Sequence, residues 1–261
     1  MSYVCYLNPR KSNNQQMIGT FVEGAAVAGL PTRIVTVSGI LRSIPMPRQG
    51  EIAVFYGVDD QTLALWHSVQ RAGLPFAYID NGYFESKWKG GSYYRITSNA
   101  MQHVGNSPSD GARWGRLGIS MKPMRAHDGY LLIALQSDWW YLRHGTSKEA
   151  WLGDVLAKIK PYLGKYKPMA RDKSEHKTPI NWDDVRAVIT HSSNVAVDGI
   201  VEGVPCFTTN QCAATRMAGA FPMVDLLHCP HEREVLPWCW SLADNQWTVD
   251  EIKAGKPFEV L

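Results

Sequence analysis

A chain of 261 residues with 45% hydrophobic residues, 20% charged residues and a formal net charge of +3 has the balance of a soluble globular protein, with room for two small domains. No apolar run approaches the ~20 residues of a membrane-spanning helix, so no membrane partner is expected. Five scattered cysteines (Cys5, Cys206, Cys212, Cys229 and Cys239) argue against a disulfide framework and for a reducing compartment.

The opening MSYVCYLNPRKSNNQQ has no basic-then-apolar signal pattern, which makes the cytoplasm the expected location. SYVCYLN reads as a first strand, NNQQMIGTFVEGAAVAG as a helix closed by Gly29, and TRIVTVSG as a second strand. EIAVFYG is a third strand. DDQTLALWHSVQRAG is a helix with Asp59 or Asp60 at its N-cap and Gly73 at its end, and PFAYID is a fourth strand. This alternation is the grammar of an α/β protein.

Two basic, glycine-containing stretches follow, FESKWKGGSYYR (84–95) and GARWGRLGISMKPMR (111–125). They are candidates for a basic surface, or are solvated loops. The alternation then restarts: GYLLIALQ as a strand, a helix within SKEAWLGDVLAKIKPYLGKY, KPMARDK as a short strand or loop, WDDVRAVITHSS as a short helix into a strand, NVAVDGIVEG as a helix and VPCFTT as a strand. The restart predicts two Rossmann-like domains, 1–125 and 126–261, facing across a cleft with a ligand at the strands' carboxyl ends. A single larger sheet is the alternative.

Thr190, His191, Ser192 and Ser193 fall where a strand gives way to a helix. Hydroxyls and unsatisfied N–H groups there suit phosphate oxygens, although one serine could simply cap the helix. Asp198 sits in an otherwise apolar helix, and a carboxylate beside a nucleotide site can accept from both ribose hydroxyls. Arg171 and Lys173 follow the preceding strand, one able to clamp a phosphate bidentately and the other adding a point charge. A zinc site at His228, Cys229, His231 and Cys239 lacks any CxxC pair to support it. The tail QWTVDEIKAG carries a capping box, Thr248 with Glu251.

RDK, then VITHSSNVAVDGIVEGVPCF, then the tail WSLADNQWTVDEIKAGKPFEVL together resemble the nucleotide-sugar half of GT-B glycosyltransferases. The likeness is to small phage-encoded and capsular-polysaccharide-type members and covers roughly residues 128–261. It implies a GT-B-like α/β fold and a nucleotide-sugar donor, a UDP-sugar. Arg171, Lys173, Thr190, Ser192 and Ser193 would hold the diphosphate, Asp198 the ribose, and His191 would lie near the sugar as a candidate catalytic residue. The terminal helix would cross back onto the first domain. No metal is required, because Arg, Lys and a helix terminus can neutralise the diphosphate.

The first domain would then hold the acceptor. Asp80, at a strand end before the Asn81-Gly82 turn, is the candidate general base, or a cap on its own turn. Tyr83, Phe84, Trp88 and Tyr94, interleaved with Lys87, Lys89 and Arg95, form a candidate platform for stacking on bases and neutralising phosphates. IDNGYF with YYRIT resembles phage glycosyltransferases that decorate hydroxymethylated bases. That resemblance implies double-stranded DNA with hydroxymethylpyrimidines as partner, a flipped target base, and the host cytoplasm as location. A surface polysaccharide acceptor, a non-catalytic nucleotide- or DNA-binding module, and a sugar-nucleotide epimerase are the competing readings.

Overall fold

The protein is described by a computed structural model over residues 2–37, 45–59, 61–84, 93–125, 128–172, 178–225 and 227–261. The chain begins with β1 (Ser2–Leu7), α1 (Ser12–Val27), β2 (Thr32–Thr36), β3 (Glu51–Tyr56), α2 (Leu63–Arg71), β4 (Phe76–Asn81) and β5 (Tyr93–Ser98). The first four strands are parallel in the order β2-β1-β3-β4, and β5 adds antiparallel to β4. Covered on both faces, β1 is buried almost throughout, as a strand inside an α/β sheet must be. Its alternation divides the core: Tyr3 and Cys5 pack with Met17, Ile18 and Phe21 of α1, whereas Val4 and Tyr6 pack with Leu65, Trp66 and Val69 of α2.

The expected strands and α1 lie where periodicity predicted them. α2 starts later: its N-cap is Thr62, and Asp59 instead accepts from the N–H groups of Gln61 and Thr62 in the preceding turn. The sequence reading had no β5. Its pairing with β4 sets Asp80 opposite Arg95.

The second sheet is wholly parallel. It is built from β6 (Tyr130–Ala134), β7 (Pro168–Arg171), β8 (Val185–Thr190) and β9 (Cys206–Thr208) in the order β7-β6-β8-β9. Its helices are α3 (Ala112–Leu117), α4 (Asp138–Leu142), α5 (Lys148–Ile159), α6 (Val195–Val201) and α7 (Glu232–Asp244). All six residues of β8 are buried, and even Arg186 lies over the Tyr166 ring at 4.1 Å. α7 escaped the sequence reading because Pro237 stands inside it and reads as a breaker.

The chain then returns to the first sheet. β10 (Trp247–Thr248) pairs antiparallel with β5, and α8 (Val249–Lys253) packs on α1. The Thr248–Glu251 capping box is present in both directions, at 3.2 and 2.8 Å. A Cβ at Gly24 would fall 1.8 Å from the Ile252 carbonyl oxygen, so glycine is what admits α8 this close. Gln246 Oε1 accepts from the N–H groups of Tyr83 and Phe84 at 2.7 and 3.0 Å.

Two compact units result, Met1–Gln102 with Asn245–Leu261, and His103–Asp244. The division differs from the sequence-based boundary at 125/126 for a local reason. Residues 103–125 are bound into the second unit: Ser107 N–H donates to Ser241 Oγ at 2.9 Å, and Lys122 N–H to the Val201 carbonyl at 2.8 Å.

Candidate functional site

In the second sheet the chain runs from β6 outward to β7, then crosses back to β8 on the other side of β6. The connections after β6 and β8 therefore diverge, opening a crevice at those strands' carboxyl ends, the place where open α/β sheets bind ligands. The register keeps three strand ends level, because Ala134 pairs with Arg171 on one side and Thr190 on the other.

Thr190 is fully buried; its hydroxyl donates to the Ala134 carbonyl at 2.9 Å and accepts from Ser193 N–H at 3.3 Å. The expected phosphate ligand is a clamp between strand ends, since a side chain with no exposed surface cannot meet a donor. Ser192 is buried beside it, its N–H donating to Gln136 Oε1 at 3.2 Å and its Oγ accepting from Trp140 Nε1 at 2.8 Å. Ser193 is half-buried, and its Oγ accepts from Val195 N–H at 3.3 Å. Neither serine is the N-cap of the helix, which is Asn194, whose side chain makes no capping bond.

His191 is 7% exposed and packs against Tyr141, His144 and Trp151, with the two imidazole centroids 4.7 Å apart. Burial lowers its pKa to about 4, so the ring is neutral at physiological pH. Its Nδ1 lies 3.2 Å from Trp140 Nε1 and 2.9 Å from Ser192 Oγ. Asp198 is half-buried in the first turn of α6. Arg171 ends β7 and donates to the Thr178 carbonyl; Lys173 lies outside the described residues.

Sequence reasoning missed Gln136, Trp140, His144 and Lys148. Lys148 pairs with Asp172 at 2.7 Å and Asp138 at 3.1 Å, and these carboxylates raise its pKa against the opposing effect of burial. The signal for Gln136 was available: a polar residue directly after the GYLLIAL strand.

The first unit repeats the strand order. Its crevice, between the ends of β1 and β3, holds another missed cluster. Asp59 Oδ2 accepts from Asn8 Nδ2 at 2.8 Å and Lys11 Nζ at 2.7 Å, while Oδ1 takes Thr62 Oγ1 and the turn N–H groups. Burial alone would raise the Asp59 pKa; Lys11, Asn8 and Thr62 outweigh it and hold the carboxyl below its ordinary value.

Asp80 stands at the end of β4, its side chain 26% exposed, with Oδ2 accepting from Arg95 at 2.8 Å and Oδ1 from Asn81 N–H at 2.8 Å. The described part of the expected stacking platform is core. Tyr83, Phe84, Tyr94 and Arg95 are all buried, and Arg95 lies over the Tyr83 ring at 5.2 Å. Apolar rings beside a chain-terminal strand gain more from burial than from solvent. Lys87, Trp88 and Lys89 lie outside the described residues. Among the described residues no helix is long and apolar enough to cross a membrane.

No family model matches the chain, and no curated protein matches it. Among solved structures it is similar to a KpsC beta Kdo 2,7 transferase from Thermosulfurimonas dismutans, at 8% identity and a TM-score of 0.53, over 99% of this chain and 100% of that one. A KpsC beta Kdo 2,4 transferase from the same organism overlaps 94% of this chain and 91% of that one, at 10% identity and a TM-score of 0.46. At such identity the first likeness is one of fold: a mixed α/β architecture with parallel sheets, consistent with the GT-B-like expectation.

Proposed function

We propose that this chain is a nucleotide-sugar-dependent glycosyltransferase whose donor sits in the second unit's crevice. The observation that carries the reading is the convergence of Gln136, Trp140, His191 and Ser192 at the switch point between β6 and β8. A full-length fold likeness to a Kdo transferase supports it.

In this reading His191 and Ser193 meet the diphosphate, with Ser192 and Gln136 holding the loop that presents them. Arg171 and Lys173 add positive charge, and Asp198 accepts from the ribose. Asp80, aligned by Arg95 and part-exposed at a strand end, is the proposed base for the acceptor hydroxyl. The proposed donor is a UDP-sugar.

A glycan is the favoured acceptor, since the described part of the aromatic platform is buried. A hydroxymethylated pyrimidine in phage DNA is the second reading, resting on Lys87, Trp88 and Lys89. Radiolabel transfer from UDP-, GDP- and CMP-sugars tests both, with hydroxymethylcytosine DNA, hydroxymethyluracil DNA and bacterial surface glycans as acceptors. Label entering glycan alone is expected; label entering only modified DNA reverses the acceptor assignment. Donor binding with no transfer to any acceptor and no loss in Asp80→Asn would identify a binding module, and donor conversion without acceptor an epimerase.

A further inference from the structure

Trp140 belongs to no expectation drawn from the sequence, yet it makes the most specific contact with His191. An indole N–H can only donate. Trp140 Nε1 lies 3.2 Å from His191 Nδ1 and 2.8 Å from Ser192 Oγ, so Nδ1 faces a donor and must be the acceptor nitrogen. Ser192 Oγ, 2.9 Å from the same nitrogen, can donate to it as well. The indole therefore sets an imidazole whose single proton is on Nε2, and Ser192 Oγ is compatible with that tautomer.

The indole is itself fixed. Trp140 is buried on α4, the Arg143 guanidinium lies over its ring at 4.4 Å, and the His144 ring lies at 5.4 Å. Ser192, the second partner, is anchored by Gln136 through its N–H. Among the described residues Nε2 makes no hydrogen bond, whereas Nδ1 has two neighbours.

We propose that Trp140 is a positioning residue that fixes His191 as the neutral Nε2–H tautomer, making His191 a hydrogen-bond donor to a phosphate oxygen and not a proton-abstracting base. The phosphate contact rests on the donor-site reading above; the tautomer does not. The titratable groups packed on His191 are His144 and Tyr141, and Tyr141 in turn feels Lys148, Asp172 and Asp138. Tyr141 stays protonated because burial raises its pKa.

The test is nitrogen-15 NMR of the full chain labelled at histidine, titrated from pH 8 to pH 4 with and without UDP, CMP or inorganic pyrophosphate. His191 and His144 are assigned by single His→Gln variants. The wild type is expected to show His191 Nδ1 as the unprotonated nitrogen at pH 8. In Trp140→Phe, which keeps a ring and loses the donor, the tautomers should mix and the titration midpoint should rise by about one pH unit. Nucleotide affinity should fall about fivefold in the same variant. An Nδ1–H tautomer in the wild type overturns the proposal without recourse to any variant, as does an unmoved midpoint in a folded Trp140→Phe. An Nε2–H tautomer that no nucleotide or pyrophosphate perturbs would overturn the phosphate contact and the donor reading, and leave the tautomer assignment standing.

Discussion

The two units share one parallel strand order, second-first-third-fourth in each, and each opens a crevice between its first and third strands. What the sequence placed there differs in kind. The first crevice is charged and closed on itself: both Asp59 oxygens are taken by Asn8, Lys11, Thr62 and turn N–H groups, tying the end of β1 to the end of β3. The second is built around neutral groups, Gln136, Trp140, His191 and Ser192, with the Lys148 ion pairs at the neighbouring strand end. The same parallel strand order therefore supplies a latch in one unit and a candidate ligand site in the other, with different side chains at the same place.

The comparison breaks most sharply in stability. Asp59→Ala should cost about 3 kcal/mol in urea denaturation, because it leaves Asn8, Thr62 and the turn N–H groups without their acceptor. A loss below about 1 kcal/mol would remove the latch from the account.

The pH windows should separate as well. His191 has a folded pKa near 4, below the ordinary histidine value of 6.5. Its contribution is complete above pH 6.5 and is lost as pH falls toward 4, by about 2–3 kcal/mol. Asp59, also held below its ordinary value of 3.8, contributes above that pH and loses its contribution only in stronger acid. His191→Phe should shrink the upper slope of a stability–pH curve, to which the buried His103 also contributes, and Asp59→Asn only the lower one; a single slope reduced by either variant would contradict the separation.

Binding sharpens the same contrast. Ser192→Ala should weaken nucleotide-sugar affinity about tenfold, with a stability loss near 1 kcal/mol, whereas Asp59→Asn should leave affinity within about twofold. Calorimetric titration with the donor that proves active reads both. The smallest effect concerns the returning tail: Thr248→Ala should cost about 1 kcal/mol of first-unit stability through the lost capping box.

Most of the framework was legible because both sheets write their burial into short apolar runs. VRAVIT and YVCY are buried on both faces and could be little else, and Gly29 and Gly73 marked helix ends with φ values of 72° and 60°. β5 was not legible: YYRITS carries an arginine buried among partners, Asp80 and the Asn81 carbonyl among them, that are visible only after pairing. The aromatic platform looks exposed by its lysines, whereas its described rings, Tyr83, Phe84 and Tyr94, are core. At the site, the Thr190–Ser193 loop was found from its place after a strand. The role of each hydroxyl was not, because burial separates a clamp such as Thr190 from a half-buried group such as Ser193.

The claim that the second crevice holds the donor is tested most directly by amide hydrogen exchange on the full chain, with and without a saturating nucleotide sugar. The account predicts slowed exchange over residues 135–140 and 190–198 and unchanged exchange over 8–14 and 57–62. Protection confined to the first unit, or a bound donor that protects neither loop of the second, would contradict it.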